Sequence, residues 1–178
     1  VDLVARLELG LQLLERAAEA GAKAFLNTDS FSARGGSLPD RLTEYALTKR
    51  QFRELALALP DIRFVLGAGC LPTAELARLA ELPNVHVMLT EILPWTGTLE
   101  FAHAFGSLLR AFGPQRLLFG SGYPMVRPGP LVRELATYRF PPEIGRRYPR
   151  FDADAARAVL GGNAARLYRI ALEPETAL

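Results

Sequence analysis

The sequence predicts an α/β fold with a parallel sheet covered on both faces. Short apolar runs of strand length alternate with amphipathic stretches of helix length, the pattern of consecutive βα units. The runs Ala24-Phe25-Leu26, Phe64-Val65-Leu66, Val87-Met88-Leu89 and Leu117-Leu118-Phe119 are apolar on successive residues, as expected of strands buried on both sides. With 178 residues and 19.5 kDa there is enough chain for one domain. Residues 1–178 are accordingly read as a single α/β domain, four βα units behind a leading helix.

Leu3, Leu7, Leu11, Leu14 and Ala18 recur at helical steps, and Gly21 stands where a helix C-terminus favours glycine. Ala22–Leu26 reads as the first strand, followed by a polar loop through Gly35, Gly36 and Pro39. Thr48 suits the N-cap of a helix over Lys49–Leu59, which Pro60 stops. Ile62–Leu66 is a second strand, Thr73–Ala80 a helix, and Val85–Leu89 a third strand. Leu99–Phe112 is a long helix and Arg116–Phe119 a fourth strand. Pro130–Tyr138 and Ala153–Leu160 read as helices. Two glycines, Gly161 and Gly162, would end the latter, and Asn163 would cap a last helix through Tyr168.

Composition excludes several function classes. Hydrophobic residues are 49% of the chain, which rules out an intrinsically disordered segment. Charges break every apolar run short of a membrane span. A net charge of +2 with no basic face or arm implies no nucleic-acid partner. The single cysteine, Cys70, excludes an internal disulfide and a cysteine-cluster zinc site, which fits a reducing, cytoplasmic setting. The chain begins at Val1, and Val1–Leu14 carries Asp2, Arg6 and Glu8, unlike a signal peptide.

In parallel α/β folds the chemistry sits at the carboxyl ends of the strands. Those ends are Asn27-Thr28-Asp29, Gly67-Ala68-Gly69-Cys70, Thr90-Glu91 and Ser121-Gly122-Tyr123-Pro124. The segments Pro60–Gly67 and Arg116–Pro124, with the closing run Val159-Leu160-Gly161-Gly162-Asn163-Ala164-Ala165-Arg166-Leu167, resemble the amidohydrolase-related family. The resemblance implies a TIM-barrel-like, metal-dependent hydrolase or decarboxylase fold. It covers about half a barrel, the C-terminal half, against the roughly 250 residues of a full one.

That family places a His-x-His pair on its first strand, a His at the end of the fifth and sixth, and an Asp at the end of the eighth. On the match, Asn27, Ala68 and Gly122 stand at the last three of these positions, and none offers a good zinc ligand. No His-x-His occurs, and the two histidines, His86 and His103, fall inside a strand and a helix, where packing roles are favoured. The resemblance therefore implies an amidohydrolase-like chain without a metal site and with no cofactor, acting as a structural or binding subunit. One alternative is a working hydrolase that takes zinc ligands from an N-terminal half or a partner chain. Another is a small-molecule binder using the barrel mouth.

Asp29 and Glu91 could pair as general acid and base, or cap a loop and meet an arginine. Cys70 follows a strand end where a thiolate could act, with a buried inert thiol as the simpler reading. Asn27, Tyr123 and Arg127 are candidate ligand contacts, Arg127 as an anion fork or as half of a surface ion pair. Ser121 lacks a nucleophile-elbow context and reads as a turn residue. Half a barrel would expose a sheet face and two strand edges, so a homo-oligomer or a separate N-terminal half is expected ahead of a chain that folds its own helices over that face as an open sandwich.

Overall fold

Alternation along the second and third strands decides which side of the sheet meets the helices. In the computed structural model, which describes residues 25–27, 52–54, 56–69, 72–124 and 126–171, four parallel strands lie in sequence order. They are β1 (Phe25–Asn27), β2 (Arg63–Gly67), β3 (Val85–Met88) and β4 (Leu117–Leu118). Register pairs Phe64 with Val85, Leu66 with Val87, and Val87 with Leu117, so these side chains share one face. All are buried in a single apolar cluster with Leu76, Phe101, Phe105, Leu108 and Leu109 of the covering helices. Val65, His86, Met88 and Leu118 hold the opposite face by the same register. Val65 and Leu118 are also buried, which accounts for the consecutive apolar residues of these strands.

The helices are α1 (Thr73–Arg78), α2 (Leu99–Phe112), α3 (Pro128–Thr137), α4 (Pro142–Gly145), α5 (Ala153–Arg157) and α6 (Asn163–Tyr168). Residues 52–54 and 56–58 are also helical, with Phe52 and Ala56 turned into the core. The expected leading helix, Thr48 and most of the first loop lie outside the described residues. Among the described residues no helix is long and apolar enough to cross a membrane.

α2 has the expected bounds, for local reasons. Thr98 caps it, its Oγ1 accepting from Phe101 N at 3.1 Å. Gly113, at φ +67°, ends it in a conformation that a side chain would strain. Phe101, Phe105, Leu108 and Phe112 form its buried stripe. Phe105 anchors an aromatic cluster that holds the C-terminal segments against α2, with Phe151 edge-on at 5.0 Å and Tyr138 edge-on at 5.5 Å. Burial pushes the Tyr138 phenol up to about 12.

The predicted helix over Ala153–Leu160 needs correction. The α-helix stops at Arg157 and continues as a π turn over Ala158–Gly162, running directly into α6. The two glycines do not break the helix: Gly162 has φ −57°, helical rather than left-handed. Asn163 has helical angles too and is not an N-cap. Its Nδ2 instead donates to Pro114 O at 2.7 Å and Leu117 O at 2.6 Å, tying the helix to the start of β4.

The same device recurs at the starts of neighbouring strands. Asn84, just before β3, donates to Ala56 O, Leu59 O and Ile62 O at 2.9–3.1 Å. Arg116, just before β4, donates to Ala80 O and Leu82 O at 2.9 Å and to Phe112 O at 3.3 Å. Each unit thus clamps the carbonyls of the turn that enters the unit before it. Buried carbonyls left without donors would be costly, so these side chains fix the spacing of the strand starts.

Tyr148 lies across α2 at Gly106, where a Cβ would come within 2.3 Å of its ring. Its hydroxyl pairs with His103 Nδ1 at 2.7 Å, and the Arg110 guanidinium sits 5.1 Å from its ring centroid. Gly106→Ala should therefore cost about 1–3 kcal/mol by overpacking, outweighing the roughly 1 kcal/mol that alanine gains in a helix. Urea unfolding measures the balance, and a stabilised variant would mean that Tyr148 does not seat on Gly106.

Candidate functional site

The carboxyl ends of β2 and β4 are built from glycines overlaid by side chains from the end of β3 between them. β2 ends in the run Gly67-Ala68-Gly69, and Gly120-Ser121-Gly122 follows β4. A Cβ on Gly69 would lie 2.6 Å from Glu91 Cβ, and one on Gly120 would lie 2.3 Å from Thr90 Oγ1 and 2.8 Å from Met88 Sδ. Only glycine lets these chains cross so closely. The third strand end is thereby interlocked with both of its neighbours, through Glu91 over Gly69 and through Thr90 and Met88 over Gly120.

Glu91 is half-buried, and its Oε2 accepts from Gly69 N at 3.2 Å. This places the one carboxylate of the described strand ends on a backbone amide. Ala68 is buried at 3% exposure in the apolar cluster that contains Phe64 and Leu66, and its N donates to Met88 O at 2.8 Å. Gly122 has φ +70°, and a Cβ there would meet the Thr90 methyl at 3.1 Å. A side chain at Gly122 is therefore strained in backbone and crowded in space.

Asn27 ends β1 in register with Val65, next in the row of strand ends. Asp29 and Cys70 lie outside the described residues, so the Asp29–Glu91 pair has no geometry here. Tyr123 is 74% exposed, and its N donates to Ser121 Oγ at 3.2 Å, which gives Ser121 the turn role read from the sequence. Arg127 is exposed just before α3 and, among the described residues, joins no ion pair. His103 belongs to the outer face of α2 with Tyr148, remote in role from the strand ends.

His86 lies mid-strand, on the face opposite the helix-covered core, level with Val65. Its Nδ1 is buried without a hydrogen-bond partner. Burial holds its pKa below the ordinary value, and the cations Arg63 and Arg116 lower it further.

The ligand set that the resemblance implies is four histidines and an aspartate. Ala68 and Gly122 carry no donor atom, and no group of three or more His, Cys, Asp or Glu side chains gathers to hold a metal among the described residues. The described strand ends do not fit such a centre. A groove of about 520 Å³ lined by Arg139, Phe140, Tyr148, Arg150, Phe151 and Asp152 lies on the C-terminal segments and includes no strand-end residue. Gly69, Gly120, Thr90 and Met88 escaped the sequence reading. The signal is a Gly-x-Gly at the ends of the two strands that flank β3.

Consecutive parallel strands in sequence order, each returned by a helix, define this chain as a segment of a βα barrel. The amidohydrolase family profile matches residues 5–170, and the chain belongs to that family. Solved structures agree on the fold. An amidohydrolase from Burkholderia multivorans aligns at TM-score 0.55 and 20% identity, over 90% of this chain and 70% of that one. An uncharacterized TIM-barrel protein from Bordetella bronchiseptica aligns at 0.54 and 18%, over 92% and 63%. Amidohydrolase 2 from Bifidobacterium longum subsp. infantis aligns at 0.53 and 16%, over 90% and 55%. The chain thus spans between 55% and 70% of the length of these proteins. No curated protein matches the sequence.

The lowered pKa of His86 sets a pH dependence. Above the unfolded value of 6.5 the imidazole is neutral in both states and contributes no slope. Below it the unfolded chain takes up a proton that the folded chain resists, so stability falls as pH drops from 6.5 toward the folded pKa. His86→Gln should flatten that part of the curve in urea unfolding at successive pH values. Identical slopes for both proteins would show that His86 is as solvated in the fold as in the unfolded chain.

Proposed function

We propose that this chain is a non-catalytic segment of an amidohydrolase-type barrel, a structural or binding part whose strand ends no longer hold a metal ion. The observation that carries the reading is the pair Ala68 and Gly122: two ligand positions of the family, one methyl group in an apolar cluster and one glycine at positive φ. The glycine interlocks support it, because Glu91, Thr90 and Met88 fill space at the strand ends that a ligand shell would use. The chain's share of its structural relatives supports a partner, either a second copy or an N-terminal half that completes the sheet. A cytoplasmic location belongs to the same reading.

One observation favours the second reading, a working hydrolase completed from outside the chain. Glu91 is a carboxylate at a strand end, fixed by the Gly69 amide, and could join ligands supplied by another segment. Elemental analysis of the purified protein separates the two. The non-catalytic reading expects less than about one zinc per ten chains, even after incubation with zinc and removal of the excess; tight structural or catalytic zinc would persist near one per chain. A stoichiometric ion lost on Glu91→Gln would overturn the proposal in favour of the second reading.

A further inference from the structure

Positive charge gathers away from the strand ends. Residues 127–169 hold nine arginines against four acidic residues, in a chain whose net charge is only +2. Arg139, Arg146, Arg147 and Arg150 fall close together in sequence, and all four are exposed. Among the described residues none of them joins an ion pair. Cations gathered without partners raise the local potential and draw anions to the surface.

The groove of about 520 Å³ opens in this segment, a volume within the usual range of small-molecule sites. Arg139 and Arg150 line it beside three aromatic rings, Phe140, Tyr148 and Phe151. The rings are held from behind by α2. Phe151 meets Phe105 edge-on at 5.0 Å, and Phe140 lies nearly parallel to Phe105 at 5.9 Å. Tyr148 sits at Gly106 with its hydroxyl on His103 Nδ1 at 2.7 Å. The walls are therefore in place before anything enters, and binding costs little reordering. Arg139 is also fixed, because its Nη1 donates to Tyr138 O at 2.7 Å and the rest of its fork is left over. The two carboxylates of the groove are engaged on their own helix. Asp152 caps α5 by accepting from Ala155 N at 3.0 Å, and Asp154 pairs with Arg157.

We propose that this groove binds a mononucleotide, with its base against the aromatic walls and its phosphate on Arg139 and Arg150. Aromatic side chains hold a base by stacking, and guanidinium forks match a phosphate in shape and charge. A phosphate ester carries close to two negative charges at neutral pH, which suits a segment that also offers Arg146 and Arg147. A carboxylate has about four acceptor positions, so Asp152 can take an N–H from the base while it caps α5. The groove includes no strand-end residue, and the site is independent of whether the chain binds zinc.

An NMR titration of the isotope-labelled chain tests this with three probes: adenosine monophosphate, adenosine, and ribose phosphate. The nucleotide should shift the amides of Phe140, Tyr148, Arg150 and Phe151 saturably, at least about tenfold more tightly than either fragment. Replacing both exposed arginines, Arg139→Gln with Arg150→Gln, should bring the nucleotide to within about twofold of adenosine. A nucleotide that binds no better than its fragments would overturn the proposal. So would an affinity unchanged by the double substitution, or shifts gathered at Gly69 and Gly120 in place of the groove.

Discussion

The arrangement depends on side-chain donors buried at the starts of the strands. Asn84, Arg116 and Asn163 each precede or follow a strand and reach back to the carbonyls of an entering turn. Apart from Leu117 O, which begins β4, those carbonyls lie in turns before the strands and have no place in the sheet ladder. Parallel strands leave the same problem at every crossover, and here it is solved with an amide, a guanidinium and a second amide in succession. Burial lowers the pKa of Arg116, a sign that its charge has been taken partly out of water to do this. Apolar packing alone would hold the layers together without fixing how far each strand is advanced relative to the next.

The opposite ends of the strands are organised by different chemistry. Polar donors are few, and close backbone approach replaces them: Gly69 under Glu91, and Gly120 under Thr90 and Met88. In βα barrels the strand starts serve stability and the strand ends serve catalysis. This chain keeps the first investment and fills the second region with interlocked side chains. On the proposed reading, the side chains laid over Gly69 and Gly120 occupy space that a ligand shell would use.

Much of this was legible in the sequence, and the rest was hidden for physical reasons. The four strands and α2 follow from apolar runs and from Thr98 and Gly113, all local signals. Ala68 and Gly122 stand out by what they lack, which needs only the alignment of strand ends. Asn163 was misread because Gly-Gly-Asn satisfies the rule for a helix stop followed by a cap. The rule cannot see that Leu117 O, nearly fifty residues earlier, competes for the same side chain. Asn84 and Arg116 were silent for the same reason, since their partners lie far away in the chain. The seat of Tyr148 on Gly106 needs the third dimension as well, because a helical glycine looks like a flaw until its neighbour is placed.

If the strand starts rather than the strand ends fix the fold, substitutions at the two ends should differ in cost. Urea unfolding of Arg116→Met beside Glu91→Gln compares the two directly. Arg116→Met strips several carbonyls of a charged donor and should lose about 2–4 kcal/mol, whereas Glu91→Gln keeps an acceptor for Gly69 N and should lose less than about 1 kcal/mol. A larger loss at Glu91 than at Arg116, with both variants folded, would contradict the account.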